Sequence, residues 1–318
     1  MQLICIKWLI IDWSAIDIKN GECLLCPRRC KIDRSHDERG FCGAGAQAKV
    51  ALVSIHKWEE PCISGKKGAG TVFFSHCNLR CEFCQNYAIS ARGYGVEVDA
   101  ARLAEIFLEQ QGRAVECLEL VTPTHYAPII IEALKRARAS GLNLPVVYNT
   151  NAYESIEIID ALSEYVDVFL PDLKYFSDDA AGKYSHAPDY FHFATAAIKK
   201  MTAVAGPVIM ENGLMKKGVL VRHLILPWLY KDSIKIVEWL WATFGSDIYI
   251  SLMNQYTPAH NAFSISKLNR KLTTYEYQKV VDAALELGIE NCFIQEKSAS
   301  STDFIPNFDG KGVLPVKL

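Results

Sequence analysis

At 318 residues the chain is long enough for one large α/β barrel or for two ordinary domains. Half of its residues are hydrophobic and 22% are charged, which is the balance of a globular protein and excludes a disordered or fibrous chain. A net charge of −2, from 34 basic and 36 acidic side chains, supplies no overall field for nucleic acid or an anionic membrane.

The first apolar stretch, Leu3 to Ile11, is short, is interrupted by Lys7 and lacks a small-residue cleavage site. It is too short to span a bilayer, so no membrane association and a cytoplasmic location are expected. Next comes Cys23-Leu24-Leu25-Cys26-Pro27-Arg28-Arg29-Cys30, followed by Gly40-Phe41-Cys42-Gly43. Residues 1–69 lack any regular alternation and read as a separate cysteine-rich N-terminal segment. From residue 70, short β-branched runs alternate with amphipathic helical patterns. The runs are Thr71–Phe74, Val115–Val121, Pro145–Tyr148, Val166–Leu170, Val219–Leu226, Ile248–Met253 and Asn291–Ile294. Asp99 caps a helix over 100–111, and further helices are predicted over 128–140, 154–165, 190–205 and 232–244. Thr273-Thr274-Tyr275-Glu276 is a capping box for one more, which stops at Gly288. Strands alternating with helices imply a parallel sheet, and six or seven such units imply an α/β fold with a full or partial (β/α) TIM-like barrel over residues 70–297. Residues 298–318 are polar and read as a surface tail or lid.

Eleven cysteines in a chain of this length, clustered at ligand spacings, suit an intracellular metalloprotein better than a secreted disulfide scaffold. Cys77, Cys81 and Cys84 form a C-x3-C-x2-C run straight after the first barrel strand. Three thiolates this close can hold three corners of an iron–sulfur cube. A cubane normally takes four cysteines, so one iron is left open for chemistry. Zinc is the competing occupant, but it prefers paired C-x2-C knuckles and four ligands, and only His76 stands nearby. Cys23, Cys26, Cys30 and Cys42 offer four thiolates, which suits either a structural zinc or an auxiliary 4Fe–4S cluster. Cys5, Cys117 and Cys292 read as small buried hydrophobes, and Cys62 as a loop cysteine. Polar groups follow the strand ends in Thr122-Pro123-Thr124-His125, Asn149-Thr150-Asn151, Asp172-Leu173-Lys174, Asn254-Gln255-Tyr256-Thr257 and Gln295-Glu296-Lys297. All are expected on the C-terminal face, where barrel active sites are built.

The segment from Ser75 to Asn86 resembles the cluster loop of the radical S-adenosylmethionine (SAM) family. The resemblance implies a SAM-binding 4Fe–4S cluster on Cys77, Cys81 and Cys84, with Phe83 packed near the adenine. It also implies reductive cleavage of SAM to methionine and a 5′-deoxyadenosyl radical. Over roughly residues 70–300 the order of segments is similar to the activating enzymes of glycyl-radical enzymes, of which the pyruvate formate-lyase activating enzyme is the best known. Val147–Tyr153, Asp167–Tyr175, Val221–Pro227 and Asn254–Pro258 carry that likeness. Trp58–Gly65, with Val121–His125, looks like a subgroup of pyruvate formate-lyase activating enzyme-like proteins.

Two departures from the family pattern stand out. The G-G-E that binds the SAM amino group is replaced by Val121–His125, so Thr122, Thr124 or backbone carbonyls are expected to take its part, with His125 facing substrate as a further reading. The glycine of the V-P-G segment is Trp228. Asn86 is expected on the SAM carboxylate, and Asn149 and Asn151 on ribose hydroxyls or the methionyl carboxylate. Asp172 binds ribose or a cation, or with Lys174 makes a rim ion pair; Lys174 otherwise neutralises the SAM carboxylate. Arg222 is either a SAM ligand or a surface charge, depending on strand register. Nothing in the chain resembles a flavin or nicotinamide site, so an external one-electron donor such as flavodoxin or ferredoxin is expected, with a glycyl-radical protein as substrate. The alternatives are radical modification of a small molecule, peptide or RNA, and, in a different class, a zinc-stabilised nucleic-acid-binding module.

Overall fold

The computed structural model describes residues 22–295 and 306–315. The Leu3–Ile11 stretch, Cys5, Glu296, Lys297 and most of the first part of the predicted tail lie outside the described residues.

The described chain opens with irregular structure around Cys23 to Cys42, braced by Cys23 N to Ile32 O at 2.9 Å and Lys31 N to Cys23 O at 3.1 Å. Strand β1 (Ala48–His56), the one-turn helix α1 (Pro61–Ser64) and β2 (Ala69–Phe74) follow. Then come α2 (Tyr87–Ser90), β3 (Val96–Val98) and α3 (Ala100–Gly112). The regular repeat begins with β4 (Leu118–Val121) and α4 (Ala127–Ala139), β5 (Val146–Thr150) and α5 (Ile156–Leu162). It goes on through β6 (Val168–Pro171), α6 (Asp178–Ser185) and α7 (Tyr190–Ala205). The hairpin strand β7 (Ile209–Glu211) leads into β8 (Leu214–Leu224) and α8 (Tyr230–Phe244). The last units are β9 (Tyr249–Met253), α9 (Thr274–Glu286) and β10 (Cys292–Ile294).

Sequence-local signals account for the helix starts. Asp99 accepts from Arg102 N at 2.8 Å to cap α3. Thr273 and Glu276 close the predicted capping box on α9. Helix α6 was not predicted; its sequence, DDAAGKYS, is short and weakly patterned, and Ser177 caps it.

The sheet runs β10-β9-β8-β6-β5-β4-β2-β1-β3. Strands from β2 to β10 along that order pair in parallel, whereas β1 is antiparallel to both β2 and β3, and β7 is antiparallel to β8. The order does not close on itself among the described residues, so the α/β fold is a partial (β/α) barrel. Every residue of β2, β4, β5 and β6 is buried, as expected for parallel strands covered on both faces. Strand β1 lies before the boundary expected at residue 69 yet adds directly to β2. Residues of the C-terminal segment lie along it in turn: Gly310 N donates to Ala51 O and Val53 N to Lys311 O, both at 2.9 Å.

The direction of β1 decides what closes the lumen. Because β1 is antiparallel, His56 pairs with Ala69 at the start of β2, so the loop 57–68 lies at the N-terminal end of the barrel. There α1 packs on β8. Cys62 and Ile63 join Ala69, Cys117, Val147, Val168, Leu170 and Leu220 in an apolar layer. Helix α1 is thus a plug. The outer, larger core lies between the sheet and helices α3 to α9. Cys117 is buried, as expected, while Cys292 is partly exposed. No helix among the described residues is long and apolar enough to cross a membrane.

Ile63 is 3% exposed in the plug layer. Ile63→Ala is expected to cost about 2–5 kcal/mol, the usual range for a buried large-to-small change. Urea unfolding under anaerobic reducing conditions measures it, and a loss below about 1 kcal/mol would show that α1 does not hold the lumen closed.

Candidate active site

A cavity of about 490 Å3 occupies the lumen and opens at the C-terminal ends of the strands. Cys77, Cys81 and Cys84 line it, with Asn86, Thr122, Asn149, Asn151, Asp172, Lys174 and Arg222. The structure therefore gathers most of the strand-end residues expected from sequence. Gln255 and Gln295 join them, linked Nε2 to Oε1 at 3.2 Å.

Each cysteine of the C-x3-C-x2-C loop meets a polar side chain, two of them from distant parts of the chain and one from the helix that follows the loop. Asn151 Nδ2 donates to Cys77 Sγ at 3.4 Å. Ser185 Oγ, at the end of α6, donates to Cys81 Sγ at 3.0 Å. Ser90 Oγ lies 3.2 Å from Cys84 Sγ. Burial pushes all three thiols up, Cys81 to about 11, with Lys174 pulling Cys81 the other way. Such thiols stay protonated until a metal displaces the proton, and the donors around them then stabilise the thiolates. Among the described residues, no group of three or more His, Cys, Asp or Glu side chains is arranged to hold a single metal ion. A cubane asks for less, because each thiolate takes its own iron corner. This donor set suits a cubane with one open iron.

Below the cysteines a polar network crosses the lumen. Arg222 on β8 donates Nε to Asp172 Oδ1 at 3.0 Å, Nη1 to Glu59 Oε2 at 2.9 Å and Nη2 to Asn149 Oδ1 at 2.6 Å. Lys174 Nζ donates to Asp172 Oδ2 at 2.7 Å. Asn149 Nδ2 donates to Glu119 Oε1 at 2.7 Å, and Thr71 Oγ1 to Glu119 Oε2 at 2.9 Å. Burial alone would raise Asp172, but Lys174 and Arg222 hold it below the usual range. Arg222 is thus an inward residue rather than a surface charge, and Asp172–Lys174 is a buried ion pair. Burial raises both Glu59, to about 7, and Glu119, and the charge of Glu119 raises Glu59 further while Arg222 pulls both the other way.

Three expected residues lie off the cavity. Thr124 Oγ1 turns to Glu154 Oε1 at 2.6 Å. His125 is 1% exposed and its Nε2 meets Ser75 O at 2.8 Å, while burial lowers it to about 3. Phe83 packs on Tyr256 with ring centroids 6.0 Å apart. Of the Val121–His125 segment, Val121 and Thr122 line the cavity. Thr122 is left-handed at φ 57°, a strained setting for a β-branched residue, and its N donates to Asn149 O at 2.9 Å.

Sequence reasoning missed Glu59, Glu60, Glu119 and Glu154 as site residues. Glu119 carried a usable signal: a charge inside the apolar run Cys117–Val121 has to be paired or functional. Glu59 and Glu60 carried none, because their loop reaches the lumen only through the antiparallel turn of β1.

The four N-terminal thiols gather next to the same loop. The Cys26 thiol, pushed to about 12 by burial, is also near Asn78, Cys42 and Cys23, and Cys42 is near Cys30 and Arg34. Asn78 in turn accepts from Asn151 Nδ2 at 2.8 Å and donates to Tyr153 O at 2.6 Å.

Residues 71–218 match the model of the Radical SAM superfamily, which supports a radical SAM domain with SAM-dependent iron–sulfur chemistry in this barrel. An uncharacterized protein of Methanocaldococcus jannaschii is 27% identical over 299 residues, covering 90% of this chain and 81% of the relative. Among solved structures, Streptococcus suis SuiB bound to its precursor peptide SuiA is similar with a TM-score of 0.50 and 13% identity, covering 69% of this chain. The chain spans only 46% of SuiB, and the likeness is one of fold. A domain of a pyruvate-formate lyase-activating enzyme from Bacteroides vulgatus is similar with a TM-score of 0.40 and 15% identity, over 54% of this chain and 92% of that one.

Glu154 is 1% exposed, and burial lifts its carboxyl to about 7 although the Thr124, Thr150 and Tyr148 hydroxyls favour ionisation. A folded-state value above the unfolded one means that stability from the proton is present at low pH and lost as pH rises through about 7. Glu154→Gln removes that loss. Relative to wild type it is expected to gain stability from pH 5 to pH 8, by about 3 kcal/mol at most. Urea unfolding at the two pH values checks this; a constant difference would show Glu154 already ionised at pH 5.

Proposed function

We propose that this protein reductively cleaves SAM at a 4Fe–4S cluster held by Cys77, Cys81 and Cys84, and directs the resulting radical to a hydrogen atom of a peptide or protein, with the backbone glycine of a glycyl-radical protein as the leading substrate. The observation that carries the proposal is the convergence of three cysteines, each beside a polar donor, with the strand-end row of amides and charges around one cavity. The cluster and SAM together supply the electron transfer and the open iron; an external one-electron donor such as flavodoxin or ferredoxin supplies the electron.

The chain's own residues have separable tasks in this scheme. Asn151 and Ser185 orient the Cys77 and Cys81 sulfurs. Lys174, partly buried beside Cys81, stabilises negative charge on the sulfur and takes the SAM carboxylate. Asn86 and the second N–H of Asn149 offer hydrogen bonds to the carboxylate and ribose, whereas both N–H groups of Asn151 are already bound to Cys77 and Asn78. With no G-G-E present, the carbonyls and hydroxyl around Thr122 receive the SAM amino group; Thr124 and His125 act behind the wall, on Glu154 and Ser75. Cys23, Cys26, Cys30 and Cys42 hold an auxiliary cluster or zinc that fixes the N-terminal segment against the cluster loop.

The test is anaerobic reconstitution followed by iron and sulfide counts and incubation with SAM and dithionite. About four irons per chain and release of 5′-deoxyadenosine are expected, or about eight irons if both sets hold cubanes. Cys81→Ala is expected to abolish 5′-deoxyadenosine, while Cys26→Ala mainly lowers stability and metal content. Zinc in place of iron with no 5′-deoxyadenosine, or full activity in Cys81→Ala, would overturn the assignment.

A further inference from the structure

The lumen holds more acid than SAM cleavage uses. Glu59 and Glu60 enter it from the plug loop, and Glu119 from β4. The charged and titratable groups facing them are His56 on β1, Arg222 on β8, and Asp172 with Lys174 at the end of β6. Arg222 is committed at Nε, Nη1 and Nη2 to Asp172, Glu59 and Asn149. Lys174 is committed to Asp172.

Glu60 is different. It lines the cavity and is 9% exposed; the Ser251 hydroxyl favours its ionised form, but its Oε2 has no hydrogen-bond partner among the described residues. It stands at the N-cap of α1, but its side chain makes no capping bond. A buried carboxyl oxygen without a donor costs about 1–3 kcal/mol or more, and a native structure keeps such an atom where something else supplies the donor. The wall beside it is apolar: Pro61, Phe73, Met253, Phe293 and Ile294 line the same cavity. Ligand sites combine this kind of apolar sleeve with a few placed polar groups.

We propose that the lumen is a substrate subsite for an alkyl cation, an ammonium or guanidinium at the end of an aliphatic chain, with the cation seated on Glu60 and Glu59 and the chain along Phe73, Met253 and Phe293. The inference rests on the radical SAM assignment for what happens at the mouth of the cavity, and names what the substrate carries below it. Glu60 supplies the open acceptor. Glu59 is braced by Arg222 on one oxygen, with His56 Nε2 3.9 Å from the other. Burial raises both carboxyls, so a cation entering between them displaces a proton, and binding tightens as pH rises through about 7.

The subsite is tested by calorimetry on the reconstituted holoenzyme with SAM, without oxygen. The probes are a capped Gly-Lys-Gly tripeptide, its norleucine counterpart, pentylamine and 1-pentanol. At least one of the two charged probes is expected to bind about tenfold or more tightly than its uncharged isostere, more tightly at pH 8 than at pH 6, with proton release between buffers of different ionisation enthalpy. Binding of the lysyl peptide alone assigns the cation to a peptide side chain; binding of pentylamine as well admits a free amine. Glu60→Gln is expected to remove the preference for charge and to leave the uncharged probes unchanged. Equal binding of charged and uncharged probes, no binding of either charged probe, or an undiminished preference in Glu60→Gln would overturn the proposal. Should that variant fold poorly, the wild-type comparison of isosteres still decides. Failure to form 5′-deoxyadenosine would overturn the reaction assignment alone, since the calorimetry does not depend on turnover.

Discussion

Arg222 is the constraint on which the lumen depends. One planar guanidinium meets the end of β6 through Asp172, the end of β5 through Asn149 and the plug loop through Glu59. Its fork geometry permits three directed bonds at once, which a lysine at that position would not make. Burial works against its charge, but Asp172, Glu59, Glu60 and Glu119 more than offset that and keep it charged. Without it, those carboxyls would be left buried and uncompensated, a loss usually worth about 3–5 kcal/mol for a broken buried pair. Strand spacing at the C-terminal face and the seat of the plug therefore share one anchor. Asp172 and Asn149, both on the cavity wall, are held in place by the same side chain that closes the floor.

The N-terminal segment is anchored with equal economy. Arg28 stacks on Phe41 at 3.8 Å and donates Nε to Asn78 O at 3.0 Å. Arg34, only 5% exposed, donates to His125 O at 2.5 Å and reaches Cys42 Sγ at 3.5 Å. Asn78 then sits between Cys26 on one side and Asn151, with Cys77, on the other. A shift in the four-thiol segment is thereby felt by Asn151, the hydrogen-bond partner of Cys77. Arg28 and Arg34 thus tie this segment to the cluster loop and to the wall behind the cavity.

The repeating half of the fold was legible because it is local. Apolar runs, Asp99, the Thr273–Glu276 box and the glycine stops lie within a few residues of what they determine. Strand β1 was not legible from sequence: residues 1–69 read as lacking regular alternation, and only long-range pairing with β2 shows that Ala48–His56 is a strand that reverses and sends Trp58–Ser64 under the barrel. The site divides in the same way. Cys77, Cys81 and Cys84 stood out by their spacing, and Asn149, Asn151, Asp172 and Lys174 line the same cavity because barrel topology places strand ends on one face. Thr124 and His125 share that position in sequence, but a 3-10 turn over Thr124–Tyr126 rotates them behind the wall. Ser185 and Glu60 come from distant segments, and although Ser90 is only six residues past Cys84, no spacing rule picks out any of the three.

The departures from the family pattern explain themselves in backbone terms. Trp228 stands where the V-P-G glycine is expected, yet its φ is 69°, so the chain keeps a left-handed turn without the residue that adopts it freely. Glu276 accepts Trp228 N at 2.7 Å, and Arg270 both pairs with Glu276 at 2.7 Å and lies 5.1 Å over the indole. Those contacts offset a strain of about 1–3 kcal/mol. Thr122, His76 and Ala152 are likewise left-handed, with φ of 57°, 72° and 62°, all just past barrel strands or beside the cysteine loop. Thr122 is held by Asn149 O and Ala152 by Thr150 Oγ1, which is itself bound to Glu154. The rim thus turns through left-handed non-glycine residues after β2, β4 and β5. His76 is fixed like the other two, by its N donating to Ile89 O at 2.8 Å, so a hydrogen bond at each turn stands in for the conformational freedom that a glycine would bring.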